Sequence, residues 1–195
     1  MEWLILVICA YLLGSVPFGY IVGRMNGIDI RQHGSGNVGF TNVWRTLGFK
    51  IGAVVLAFDL GKGWVSACLG FHLAGEYGAI VGGIMAILGH TWSCFLHFKG
   101  GKGVATGAGV LLYLSPLTFA ICACILVAFC LITKYMSLGS IFASLSAPVV
   151  MYFLNAPTVY NVTILIAAVY IVYLHRGNIK RLLNGTENKL GHKKK

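Results

Sequence analysis

The chain has 195 residues, 57% of them hydrophobic and 10% charged, with a mean hydropathy of +0.81 and a formal net charge of +10. A soluble domain carries roughly a quarter of its residues as charges to cover its surface, so lipid must solvate most of this molecule. The cations fall between apolar runs rather than on a surface with base-reading elements, so nucleic acid is not expected as a partner.

Seven apolar segments follow one another. Segment 3–22 sits where a signal peptide would, but Met-Glu precedes it in place of a positive charge and no A-x-A site follows, so it is expected to stay as a helix. Segment 51–71 contains Asp59 and Lys62, an i,i+3 spacing that suits an intramembrane ion pair. Segment 78–98 comes next, with His90 inside it, a residue type that in such a place usually packs rather than catalyses. Segment 104–114 would measure only about 16 Å as a helix, short of the roughly 30 Å hydrocarbon core. Either its helix begins inside the preceding loop, or the membrane is thinned there, or it forms a re-entrant pair with the next segment. After Ser115-Pro116 come 117–133 and 138–154, and after Asn155-Ala156-Pro157 comes 159–174. In 178–183, Ile179, Leu182 and Leu183 share a face, the pattern of an interfacial amphipathic helix ending near Gly185. The final His-Lys-Lys-Lys reads as a solvated tail drawn to anionic lipid.

The fold expected is an all-α integral membrane protein, a single domain over 1–195, with about seven transmembrane helices joined by cytoplasmic glycine-rich phosphate-binding loops. With seven crossings, 14 of the 15 cations fall on one side and Lys62 lies within a span, while the other side holds Glu2, His72 and Glu76. The positive-inside rule then puts the N-terminus outside and the C-terminus in the cytoplasm. The six cysteines form no C-x-x-C pair and suit apolar packing. No metal and no cofactor is expected.

Three segments on the basic side are too polar for simple connectors. In the first, Gly34, Gly36 and Gly39 free backbone N–H groups to turn toward an anion, and Ser35, Asn37, Thr41 and Asn42 add neutral hydrogen-bonding groups. Asn37, Thr41 and Arg45 would share a face if a helix began near Asn37. In the second, Lys99-Gly100-Gly101-Lys102-Gly103 runs straight into an apolar helix containing Thr106, which offers backbone donors, a positive helix end and an ammonium to a phosphate. It lacks the Walker A spacing and an upstream strand. The third holds His175, Asn178 and Glu187, the last a carboxylate with basic neighbours and so an expected ion-pair partner.

These blocks, GSGNVGFTNVWR at 34–45, GHTWSCFLHFKGGKGVAT at 89–106 and HRGNIKRLLNGTENK at 175–189, resemble the bacterial acyl-phosphate:glycerol-3-phosphate acyltransferases of the PlsY type, as does DLGKG at 59–63. Phe40 departs from the alanine usual in the family. The resemblance implies transfer of a fatty acyl group from acyl phosphate to the 1-hydroxyl of sn-glycerol 3-phosphate, within membrane lipid. It implies Ser35, Arg45, Lys102, His175 and Asn178 as catalytic residues. Gly34, Gly36, Asn37, Thr41, Asn42, Lys99, Gly100, Gly101, Gly103, Thr106 and Glu187 are implied as substrate-binding residues. The His-x4-Asp motif of thioester-using acyltransferases is missing. The competing class is a membrane anion transporter or binding subunit. A transporter should show two related halves, and the three motifs are all different.

Overall fold

The structure, a computed structural model, describes residues 1–190, so the His-Lys-Lys-Lys tail lies outside the described residues. The chain divides into two compact units, the first Met1–Leu114 and the second from Ser115 onward.

The first unit contains α1 (Glu2–Ser15), α2 (Phe18–Met25), α3 (Phe40–Leu47), α4 (Phe49–Thr91) and α5 (Val104–Leu114), with 3₁₀ turns at Ile30–Gln32 and Cys94–Leu96. Segment 3–22 is broken at Val16–Pro17, where proline supplies no N–H to continue the ladder. The two following segments run into α4, which reverses at Ala74–Gly75. Its arms lie so close that a Cβ on Gly70, Gly78 or Gly82 would overlap backbone of the facing arm. Gly14 approaches the backbone of Ala86, and Gly109 that of Leu60, in the same way, so α1 and α5 are drawn against α4. In lipid, no hydrophobic gain accompanies helix association, and small residues let dispersion and backbone contact supply it instead. Leu4, Ile5, Ile8 and Leu12 on α1 stay largely exposed, the face left for acyl chains.

The second unit contains α6 (Pro116–Thr133), α7 (Met136–Phe153), α8 (Thr158–Leu174) and α9 (Arg176–Leu183). Pro116 opens α6, where its missing N–H costs nothing. Helix α7 packs against both α6 and α8, with Phe129 stacked on Phe142 at 4.2 Å. Beyond α9 the chain returns to the start of α7. The Leu190 N–H donates to the Lys134 carbonyl at 2.8 Å, and the Lys189 ammonium stands over the Tyr135 ring.

All seven expected segments are helical. Four helices among the described residues are long and apolar enough to cross a membrane: Glu2–Met25, Phe49–Leu96, Pro116–Thr133 and Met136–Phe153. A fifth is gained if α8 and α9, bent by 55°, form one span. Phe49–Leu96 is counted once by length, but it reverses at Ala74–Gly75, so its two arms are the second and third expected segments, joined through the short link that carries His72 and Glu76. Helix α5 keeps its predicted 11 residues and falls short.

Candidate active site

The first glycine-rich loop is held by its own amide side chains. Asn42, 2% exposed, accepts the Ser35 N–H on Oδ1 at 2.9 Å. Its amide nitrogen lies 2.9–3.1 Å from the carbonyl oxygens of Ile30, His33 and Asn37. Asn37 Oδ1 accepts the Gly39 N–H at 2.9 Å. Gly34, at φ +61, passes so near the Asn42 amide that a Cβ would overlap it. Asn42 is therefore occupied in shaping the loop, rather than turned out as a substrate ligand. Helix α3 starts at Phe40, after Asn37, so the face expected to carry three residues carries Thr41 and Arg45, one turn apart and half-buried. Ser35 is exposed at the loop's tip. Phe40 stacks on Trp44 at 5.4 Å, a packing role.

Asp29 precedes this loop. Arg31 donates to both of its carboxylate oxygens, at 3.0 and 2.7 Å. Those hydrogen bonds hold the carboxyl at about 2, against the upward push of desolvation, so Asp29 is ionised and a poor proton acceptor at neutral pH.

The second loop is held from below. The Gly100 N–H donates to the Thr91 carbonyl and the Gly101 N–H to the His90 carbonyl, both at 3.0 Å, while those of Phe98 and Lys99 donate to Ser93 and Leu96. The expected cradle is corrected accordingly: these four donors are spent on the end of α4 and the turn after it, and are not offered to an anion. The chain then turns through Gly103 at φ +77, a conformation that disfavours a Cβ, and enters α5. The amides opening α5 have no carbonyl a turn earlier in a helix to bond, so they are the backbone donors a phosphate can use. Lys102 is half-buried beside them, Lys99 is exposed, and Thr106 is fully buried.

Beneath this loop lies a buried charged cluster. Asp59 Oδ1 is 2.8 Å from Lys62 Nζ and 3.6 Å from His90 Nδ1. The three residues are 1%, 3% and 7% exposed. Lys62 also donates to the Val16 carbonyl at 2.9 Å, the oxygen that the helix break at Pro17 leaves available. The Asp59–Lys62 pair is as expected from its spacing. His90 is not the isolated packing histidine expected. The signal that could have found it is that an ionisable residue in segment 78–98 needs a polar partner, and Asp59 stands in the preceding segment.

In the second unit, Glu187 collects three donors. Ser137 Oγ and Asn178 Nδ2 reach its Oε1 at 2.8 and 2.7 Å, and Arg181 Nε reaches Oε2 at 2.7 Å. Burial pushes the pKa of this carboxyl up, but the hydrogen bonds from Asn178, Ser137 and Arg181 together outweigh it and hold it below the usual carboxylate range. The expected ion pair is thus present, with Arg181, and Glu187 is taken up in fastening the tail. Ser137 was not legible in the sequence. His175 is 3% exposed, with Nδ1 2.8 Å from the Ile171 carbonyl oxygen.

A family model described as glycerol-3-phosphate acyltransferase matches residues 4–185, a stretch that contains all of these groups except Glu187. The chain belongs to the glycerol-3-phosphate acyltransferase family. Among its relatives, glycerol-3-phosphate acyltransferase 2 of Moorella thermoacetica is 47% identical, covering 98% of this chain and 99% of the relative. The Bacillus subtilis glycerol-3-phosphate acyltransferase is 42% identical over 95% of this chain and 96% of its own. The fold superposes with a TM-score of 0.94 on the crystal structure of PlsY (YgiH), an integral membrane glycerol 3-phosphate acyltransferase, in its glycerol 3-phosphate form. That protein is 39% identical, with 98% of this chain and 96% of the other covered. Its lysophosphatidic acid form superposes with a TM-score of 0.92. This chain is accordingly an all-helical, multi-pass integral membrane enzyme that acylates glycerol 3-phosphate.

Proposed function

We propose that the acyl donor is acyl phosphate and that the acyl group passes in one step to the 1-hydroxyl of sn-glycerol 3-phosphate. The hydroxyl oxygen attacks the carbonyl carbon, the bond from that carbon to the bridging oxygen breaks, and the leaving phosphate keeps that oxygen and the electron pair and takes the hydroxyl proton. The products are 1-acylglycerol 3-phosphate (lysophosphatidic acid) and phosphate. One observation carries this reading: the 98–101 amides are tied to carbonyls, so Lys102 and the opening amides of α5 are set in place before any phosphate arrives. Donors fixed in advance stabilise charge developing on a leaving phosphate without reorganising at the moment of reaction.

Arg45 is proposed to hold a substrate phosphate through its planar guanidinium, with Ser35 at the tip of the same loop as a hydroxyl contact. His175 and Asn178 are proposed to orient the glycerol. Lys99 is assigned a supporting electrostatic part. The mixed anhydride is already activated and carries its own proton acceptor, so no side-chain general base is required. Asp29 and Glu187 are committed to Arg31 and to three donors respectively. The setting proposed is the bacterial inner membrane, with the N-terminus outside and these loops cytoplasmic, on the strength of the one-sided cations.

The test is the purified chain in phospholipid vesicles with radiolabelled acyl phosphate. Given glycerol 3-phosphate, it should release labelled lysophosphatidic acid and one phosphate per turnover. Given the donor alone, denatured protein should carry no label. Stoichiometric label on Ser35 that discharges onto glycerol 3-phosphate would replace direct attack with a ping-pong route.

A further inference from the structure

Asp59, Lys62 and His90 are not themselves assigned to substrate, yet each stands on a stretch of α4 that carries the second loop. The His90 carbonyl accepts the Gly101 N–H, and a Cβ on Gly101 would collide with His90 Nε2. One turn on from Asp59, Gly63 approaches the Thr106 carbonyl so closely that a Cβ there would overlap it. The loop from Gly100 to Thr106 is thus bonded to one arm of α4 at its start and pressed on the other arm at its end. Asp59 is the group common to both arms, 2.8 Å from Lys62 Nζ on its own arm and 3.6 Å from His90 Nδ1 on the facing one.

Stability alone does not require such a cluster. Replacing a buried ion pair with apolar side chains of similar volume is often neutral or stabilising, whereas removing one partner is costly. What a polar contact adds over apolar packing is direction: Asp59 beside His90 fixes the rotation of one arm against the other, and through the His90 ring and carbonyl the height of Gly101.

We infer that Asp59, Lys62 and His90 are positioning residues for acyl transfer, a buried charged brace that sets where the loop presents Lys102 and the first amides of α5. The inference rests on the assignment of that loop as a phosphate site.

The experiment is steady-state kinetics of the full chain in phospholipid vesicles, varying each substrate in turn, on Lys102→Ala, Asp59→Asn/Lys62→Met and His90→Gln. The double variant removes both charges with little change of volume, so it leaves no lone buried ion. Lys102→Ala defines which substrate's KM depends on the loop. The double variant should raise the KM of that same substrate by about tenfold and leave the other within about threefold. His90→Gln should shift the same KM in the same direction by a smaller factor, and it decides the matter if the double variant does not fold. A merely structural brace would lower the amount of active enzyme, so a reduced Vmax with both KM values unchanged overturns the inference. Wild-type kinetics in Lys102→Ala would instead overturn the assignment of the loop on which it rests.

Discussion

The two glycine-rich loops of the first unit carry three glycines each and are held by opposite means. The loop at 34–42 is folded around one of its own side chains, with the Asn42 amide serving four backbone groups within twelve residues. The loop at 98–103 is held through its backbone. Its N–H groups are bonded to carbonyls of the preceding turn and of the end of α4, and its glycines let it lie directly on the His90 ring. A self-folded loop takes its shape from local sequence and can be moved by one local change. A loop laid on a helix inherits that helix's position, and is sensitive to changes some distance away.

The largest expected effect is at Asn42. In Asn42→Asp the side chain still accepts from Ser35, but an oxygen replaces the nitrogen that faces three carbonyls. Leaving those buried groups unpaired and placing a carboxylate against them should cost about 3 kcal/mol or more. Thermal unfolding and acyltransferase rate should both collapse. A stable, active Asn42→Asp would show that the loop does not depend on this amide.

Next is Gly101→Ala, which puts a methyl group against His90 Nε2. Displacing the loop by even an ångström should lower kcat/KM by about a hundredfold. Gly61→Ala, which meets nothing within 4 Å, is the control and should be neutral or slightly stabilising through helix propensity. Equal activity in the two variants would break the idea that this loop is seated on the helix.

Within that loop, Lys102→Ala should remove most activity and Lys99→Ala should cost less than about tenfold, because an exposed charge is screened by solvent and salt. Equal losses would make the loop a general positive patch rather than a placed contact.

The smallest effect lies in the second unit. Glu187 is held below its ordinary range by Asn178, Ser137 and Arg181 despite the upward push of burial. A depressed carboxylate contributes stability that is fully present above the unfolded value, near 4.5, and is lost as pH falls through the lower folded value. Stability should therefore be flat from neutral pH down to about 5 and fall below the normal carboxylate range. Glu187→Gln should flatten that acid limb and cost about 1–2 kcal/mol at neutral pH, since Arg181 is partly exposed and Asn178 and Ser137 keep an acceptor. An unchanged acid limb in Glu187→Gln would remove this carboxylate from the account.

Sequence alone determined the membrane class, the seven helical segments in order, the start of α5 at the end of a basic glycine loop, and the Asp59–Lys62 pair. Hydropathy, helix punctuation and i,i+3 spacing are properties of neighbouring residues, so they can be read before the chain folds. Its three motifs also carried the family. Only the tertiary structure decided which of the loop's donors were already spent, that Asn42 faces inward, that His90 stands against Asp59 across the reversal of α4, and that Ser137 reaches Glu187 fifty residues on. A glycine N–H or a buried amide looks the same in sequence whether it meets a phosphate or a carbonyl. Hydrogen bonds select partners over about 3 Å, and only folding brings chain-distant atoms within that reach.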